Sequence, residues 1–375
     1  MLSPENIGLL LQGITHVTPQ SLVMIAVAFG LLYLGIVKQY EPLLLLPIGA
    51  GCLLANLPLS PLIAEDGMLR VLYNMGIVNE LFPLLIFIGI GALTDFGPLL
   101  ENPRLVLLGA AGQFGIFLTL LLALAFGFSH NEAASIGIIG AIDGPTSIYV
   151  SGLLAPHLLG PITVAAYSYM SLVPIILPPI MKLLTTQKER RIRMPYSQRV
   201  ISRRTRLLFP IVVTVLVGTL VPFATPLIGM LMLGNLMKES GVVERLTKAS
   251  SNEIANTVTL FLGLAIGSTM LGTEFLKLST LAILVLGILA FAVDAIAGVM
   301  FAKLLNVLSG GKINPLVGAA GISAFPMAAR VVQKVAQEED FENFLLMHAM
   351  GANAAGQVAS VVAGGVLLAL MGAGG

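Results

Sequence analysis

Apolar runs on the scale of a membrane helix follow one another from residue 19 to residue 371. They leave the chain almost no choice of solvent. Segments near 19–37, 42–60, 81–97, 104–129, 134–155, 160–185, 206–223, 225–238, 255–273, 278–306, 313–333 and 343–371 are dominated by Leu, Ile, Val, Phe, Ala and Gly. A bilayer core takes about 20 apolar residues per helix. Eleven or twelve segments fit, several of them short, and 42–60 and 225–238 hold enough Gly and Pro to tilt or re-enter. Only 10% of the 375 residues are charged and 57% are hydrophobic, whereas a soluble domain carries about 25% charged residues. The runs are continuous rather than alternating, which excludes a β-barrel. The expected fold is an all-α polytopic membrane protein.

Several functions drop out at once. Cys52 is the only cysteine, so neither an internal disulfide nor a Cys-rich metal site can form. His16, His130, His157 and His348 make no His-x-x-x-His or Glu-x-x-His pair, which removes the usual helical transition-metal sites. No phosphate-binding loop of the GxxxxGK[ST] type occurs. The N-terminus, Met1 to Gln12, lacks a basic n-region and a small-residue cleavage site. It reads as a short amphipathic interfacial helix that the mature chain keeps.

Charge is concentrated in one place. Between Lys182 and Arg206 stand nine of the chain's twenty Lys and Arg, with a single acid, Glu189. The positive-inside rule puts this loop in the cytoplasm. It also divides the chain into a first membrane repeat with its interfacial segment (1–181), a basic loop (182–206) and a second membrane repeat (207–375). Phe87-Ile-Gly-Ile-Gly-Ala-Leu-Thr94 parallels Phe261-Leu-Gly-Leu-Ala-Ile-Gly-Ser268. Gly140 and Pro145 match Gly321 and Pro326 at one offset. Related halves of this kind, often inverted, are typical of transporter folds. Inversion needs an odd number of crossings per half, so at least one segment must re-enter.

Each half holds an interrupted helix. The first is Gly137-Ile-Ile-Gly-Ala-Ile-Asp-Gly-Pro-Thr-Ser147, and the second is Asn314-Pro-Leu-Val-Gly-Ala-Ala-Gly-Ile-Ser-Ala-Phe-Pro326. Proline removes a backbone donor and glycine permits unusual angles. The freed carbonyls and half-helix ends can hold a cation near the midplane. Asp143 is the candidate carboxylate, with Thr146 and Ser147 as further oxygens; oxygen ligands suit a hard cation such as Na⁺. Its plainer reading is a helix cap at the membrane boundary. Asn314, Ser323 and the backbone from Gly318 to Gly321 are the matching groups, and helix packing is their plainer reading. Arg330 either snorkels to the interface or faces Asp143 or an anionic substrate. Tyr169 and Asn353, each among small residues, are weaker candidates. Asp95 ends a helix before Gly97-Pro98, and Asp294 is either a second ion ligand or a helix–helix hydrogen bond.

The chain resembles the β subunits of the bacterial sodium-pumping, biotin-dependent decarboxylases acting on oxaloacetate, methylmalonyl-CoA and glutaconyl-CoA. The resemblance runs through Gly140-Ala-Ile-Asp-Gly-Pro-Thr-Ser147, Leu154-Ala-Pro-His-Leu-Leu-Gly-Pro161, Ala166-Tyr-Ser-Tyr-Met170 and Pro178-Pro-Ile-Met-Lys-Leu-Leu-Thr-Thr186. It resumes at Asn314-Pro-Leu-Val-Gly318, Ala328-Ala-Arg-Val331 and Asn343-Phe-Leu-Leu-Met-His-Ala-Met-Gly351. It covers essentially the whole chain. Where many relatives have Gly-Ala or Gly-Gly before the aspartate, this chain has Ala141-Ile142, an apolar change.

The resemblance implies a division of labour. A carboxyltransferase (α) subunit moves a carboxyl group from substrate to biotin on a carrier subunit. The β subunit, in the inner membrane as part of an oligomer with a small γ/δ subunit, decarboxylates carboxybiotin and moves Na⁺ outward, consuming a proton. It further implies Asp143 as the central Na⁺ and proton site, with Asn314, Gly318, Ser323 and Asn353 in the ion pathway and Tyr169 and Arg330 in the chemistry. Without the resemblance, the same residues fit a Na⁺-coupled secondary transporter of inverted-repeat type equally well.

Overall fold

Backbone polar groups in lipid must be satisfied within their own segment, and the apolar runs accordingly form helices. The computed structural model describes residues 12–39, 41–195 and 200–372. The N-terminal interfacial helix expected over Met1 to Gln12 lies outside them apart from Gln12. The principal helices are numbered in chain order and shorter ones are given by range. They are α1 (Pro19–Ile36), α2 (Pro42–Asn56), α3 (Leu81–Leu93), α4 (Phe114–Ala125), α5 (Gly144–Leu154) and α6 (Leu159–Leu184), then α7 (Arg203–Leu220), α8 (Thr225–Ser240), α9 (Ala255–Thr269), α10 (Leu278–Leu308), α11 (Met327–Glu339) and α12 (Leu346–Leu370). No strand occurs among the described residues.

The eleven or twelve apolar segments, several of them short, are not all spans. Four helical stretches are long and apolar enough to cross a membrane: Pro19–Ile36, Leu105–Ala125, Leu278–Leu308 and Leu346–Leu370. Two bent pairs raise the number to six: Pro42–Asn56 with Pro61–Val78, bent by 106°, and the two parts of α6, bent by 62°. Pro174, Pro178 and Pro179 lie inside α6, and proline removes the hydrogen bond that keeps a helix straight. The other segments are shorter helices and broken ones.

Two of the broken segments are hairpins that begin and end on one side. In the first, His130–Gly137 leads into a 3₁₀ turn, Ile138–Ala141, and α5 returns. Eight helical residues rise only about 12 Å, too little to cross. The outer ends are joined by Glu132 Oε1 and His157 Nε2 at 2.9 Å. In the second, the 3₁₀ helix Pro315–Gly321 goes in and α11 comes out. Asn314 at its start donates to the carbonyls of Arg190 (2.9 Å) and Ile192 (2.8 Å). Glu339 and Asp340 at its end pair with Arg190 and Arg193, both at 2.7 Å. Since α6 runs from His157 to the basic loop, the hairpins approach from opposite ends of the bundle.

The helices around the hairpins pack as two matching crossed pairs, α2 on α9 and α3 on α8. Gly51 and Gly267 line the first contact, and Gly91 and Gly234 the second. A Cβ on any of them would overlap backbone of the facing helix. Small residues allow this backbone-to-backbone approach, which dispersion favours where no hydrophobic force acts between helices. Buried side chains form two cores. One contains Met24, Cys52, Ile86, Tyr167 and Ile266. The larger contains Phe87, Ile139, Phe291, both hairpins and α12. Each core draws on residues from before and after the basic loop.

Candidate ion and substrate site

Asp-Gly-Pro-Thr is a helix start placed in the protein interior. Asp143 caps α5 by accepting from the Thr146 N–H at 3.2 Å, with proline in the first turn. The N-terminal end of the helix dipole thus points at a carboxylate. Just before it, Ile142 has φ 52°, a left-handed conformation that β-branched residues rarely adopt. Ile142 therefore holds a strained backbone immediately before the Asp143 cap.

The hairpin tips touch. The Ser323 N–H donates to the Ala141 carbonyl at 3.1 Å. A third element, α12, stitches them together. Asn353 Nδ2 donates to the Ile322 carbonyl at 2.6 Å, Gln357 Nε2 donates to the Ser323 carbonyl, and the Gly356 carbonyl accepts from Ser323 Oγ at 2.9 Å. Ser360 Oγ donates to Asp143 Oδ2 at 2.7 Å. Asn353, Gln357 and Ser360 lie at i, i+4 and i+7, one face of a helix.

Asp143 is 3% exposed and has no ion-pair partner among the described residues. Two buried amide oxygens near the junction, Asn353 Oδ1 and Gln357 Oε1, have no partner among the described residues. Buried polar atoms are nearly always satisfied. Orphaned acceptors around an uncompensated carboxylate are a donor set for a hard cation.

A cavity of about 410 Å³ opens beside this junction, in the seam between the two cores; Asp143, Tyr167, Ser323, Arg330 and Gln357 line it. Its lining includes Leu93, whose carbonyl accepts from Lys238 Nζ at 3.3 Å. Lys238 lies near the end of α8, where the Ser240 carbonyl accepts from Arg203. At Leu93 the cavity therefore reaches towards the basic end. A second cavity, of about 600 Å³, shares Ile90, Leu93, Phe325, Pro326 and Arg330 with the first and adds Asp95, Pro98, Leu346, Met347 and Met350.

The structure brings Asp143, Ser323 and Asn353 to the junction and exposed Arg330 to the cavity wall. It places the other expected residues elsewhere. The seven-residue 3₁₀ helix after Asn314 rises about 14 Å, so Asn314 sits at the basic end with its amide engaged by Arg190, Ile192 and Leu316. Gly318 packs against Gly298, with no room for a side chain. Tyr169 donates to the Leu284 carbonyl on α10. The tyrosine in the cavity is Tyr167, two positions away and so on the opposite helix face, where its ring covers Gly144. Asp95 caps Gly97 at 2.8 Å, as expected. Asp294, wholly buried, accepts from the Gly115 N–H and leaves Oδ2 unpartnered. Sequence reasoning missed Tyr167, Gln357 and Ser360. The spacing of Asn353, Gln357 and Ser360 was the available signal.

These features define a helical membrane protein with a buried, oxygen-lined junction where two hairpins meet. A family profile described as Na⁺-transporting oxaloacetate decarboxylase beta subunit matches residues 20–371. The chain is 53% identical over 359 residues to the methylmalonyl-CoA decarboxylase subunit beta of Veillonella parvula, covering 96% of this chain and 95% of that one. It is 53% identical over 350 residues to the glutaconyl-CoA decarboxylase subunit beta of Acidaminococcus fermentans, covering 93% of each. It is 49% identical over 427 aligned positions to the oxaloacetate decarboxylase beta chain of Klebsiella pneumoniae, covering 97% of this chain and 98% of that one. The chain belongs to the family of membrane beta subunits of the Na⁺-transporting, biotin-dependent decarboxylases. As a beta subunit it is part of a multi-subunit complex.

Proposed function

We propose that this subunit decarboxylates carboxybiotin presented by a biotin carrier subunit and uses the free energy to move Na⁺ outward at Asp143, with uptake of a proton. The observation that carries the reading is the junction itself. It is a buried carboxylate with no ion-pair partner among the described residues, close to two unpartnered amide oxygens and lining a cavity that Arg330 also lines. Moving one charge outward costs about 2.3 kcal/mol per 100 mV. The sequence has no nucleotide-binding loop, and loss of CO₂ is a chemical source of that energy.

In this reading Na⁺ and H⁺ exclude each other at Asp143. Ser360, Thr146, Ser323, Asn353 and Gln357 supply oxygens or orient those that do. Arg330, at the junction of the two cavities, attracts the carboxylate of carboxybiotin, and a fixed positive charge there is unsuited to coordinating Na⁺. Asn314 and Gly318 act indirectly, by fixing the arm that carries Ser323, and Tyr169 does so by anchoring α6 to α10. The two halves form an inverted repeat, each with one re-entrant hairpin, in a bacterial cytoplasmic membrane. The matching crossed pairs and opposed hairpins support this. The basic loop then faces the cytoplasm, the side on which the carrier, the carboxyltransferase (α) subunit and the small γ/δ subunit complete an oligomeric complex. The purified chain should decarboxylate free carboxybiotin, and faster with Na⁺ than without. A rate indifferent to Na⁺ would remove the coupling from this subunit.

A further inference from the structure

The cavity holds a second carboxylate that the mechanism above leaves unused. Glu41, immediately before α2, is half-buried and lines the same cavity as Asp143. Its side chain has no hydrogen bond or ion pair among the described residues. Burial alone pushes its carboxyl above the ordinary carboxylate range. Gln357, 4% exposed, also lines this cavity, and its Oε1 has no partner among the described residues.

Charge arithmetic separates two ligands. Arg330 is the one Lys or Arg among the residues lining this cavity, against the two acids Glu41 and Asp143. With Arg330 matched to an anionic substrate, two carboxylates remain for cations. Arg330 also lines the second cavity, which is continuous with the first through Ile90, Leu93, Phe325 and Pro326, whereas Glu41 lines only the first.

We propose that Glu41 is an access site for a monovalent cation, where the ion arriving from the basic end pauses before it reaches Asp143. This rests on the reading of Asp143 as the cation site. Glu41 raises the local concentration of the ion and takes no part in the chemical step. Its removal therefore alters the concentration dependence of Na⁺ activation and spares the rate at saturation. An attractive charge near a low-dielectric channel mouth acts in this way, and salt screens it.

The test is Na⁺ activation of decarboxylation by the assembled complex. Glu41→Gln should raise the half-activating Na⁺ concentration by roughly three- to tenfold, the effect of losing one partly screened unit charge, with the rate at saturating Na⁺ preserved. Glu41→Asp, which keeps the charge, should stay close to wild type. Choline chloride, which raises ionic strength without entering the site, should narrow the gap between wild type and Glu41→Gln. Glu41→Ala serves as the neutral variant if the amide does not assemble. An unshifted half-activating concentration would overturn the proposal, as would a fall in maximal rate without such a shift. Failure of the Asp143 reading shows separately, as Na⁺-dependent turnover in Asp143→Asn with Glu41 intact.

Discussion

Ser360→Ala probes the junction with the smallest change. The hydroxyl is fully buried and donates to Asp143 Oδ2 at 2.7 Å. A hydrogen bond to a charged group contributes about 1.5–3 kcal/mol. In the ion-free protein the hydroxyl stabilises the carboxylate against its protonated form; once Na⁺ arrives, the same oxygen can turn a lone pair to the ion. Both effects act in one direction, so the variant should need more Na⁺. At 1.36 kcal/mol per decade, the half-activating concentration should rise roughly ten- to a hundredfold. The assay is initial decarboxylation rate against Na⁺ at fixed pH, with thermal unfolding in detergent to verify that the variant is folded. A folded Ser360→Ala with wild-type Na⁺ dependence would refute the placement of Ser360 beside the ion.

Other outcomes follow from the same coordinates. Gly91→Ala should lower thermal stability by about 1–3 kcal/mol through overpacking, because its Cβ would overlap the Leu231 carbonyl on α8; unchanged unfolding in detergent would show that the pair can spread. Hydrogen bonds from Arg190 to Glu339 and from Arg193 to Asp340 hold both carboxyls below their ordinary range. Because the folded values lie below the unfolded ones, this stabilisation is fully present above the unfolded carboxylate range and is lost as pH falls through the folded values. Amide exchange in Arg190–Arg193, corrected for its intrinsic pH dependence, should thus rise only below about pH 4; release at pH 6 would contradict the ion-paired strap. In a Cys52→Ser background, cysteines at Lys188 and Glu342 should react with impermeant reagents in inside-out vesicles and one at Asn131 in right-side-out vesicles. Labelling of Asn131→Cys and Glu342→Cys from one side would end the opposed-hairpin topology.

Asp143 and Ser323 were legible in the sequence because Gly, Pro and a polar group inside an apolar run admit few structures. Their meeting followed from the matching offsets. Asn314 was misjudged because offset fixes order along the chain and not rise, and a 3₁₀ helix carries it about 14 Å from the tip. Tyr169 stood out within Ala166-Tyr-Ser-Tyr-Met170, yet a two-residue step on a helix reverses the face, and only packing decides that Tyr167 is the one turned to the cavity. Which segments re-enter was not legible, because short arms such as His130–Gly137 are part of apolar runs as long as those of true spans. The ion pairs of Lys182 with Glu338, Arg190 with Glu339 and Arg193 with Asp340 join residues far apart in the chain, with no local pattern to reveal them.

The most direct measurement is ²²Na⁺ uptake into vesicles holding the complex with Asp143→Asn. The amide keeps the shape of the side chain but can neither carry charge nor exchange a proton. The variant should insert and assemble normally, yet show no Na⁺ uptake and no Na⁺-dependent decarboxylation. Uptake at the wild-type rate would show that the ion crosses the protein by a route that does not include Asp143.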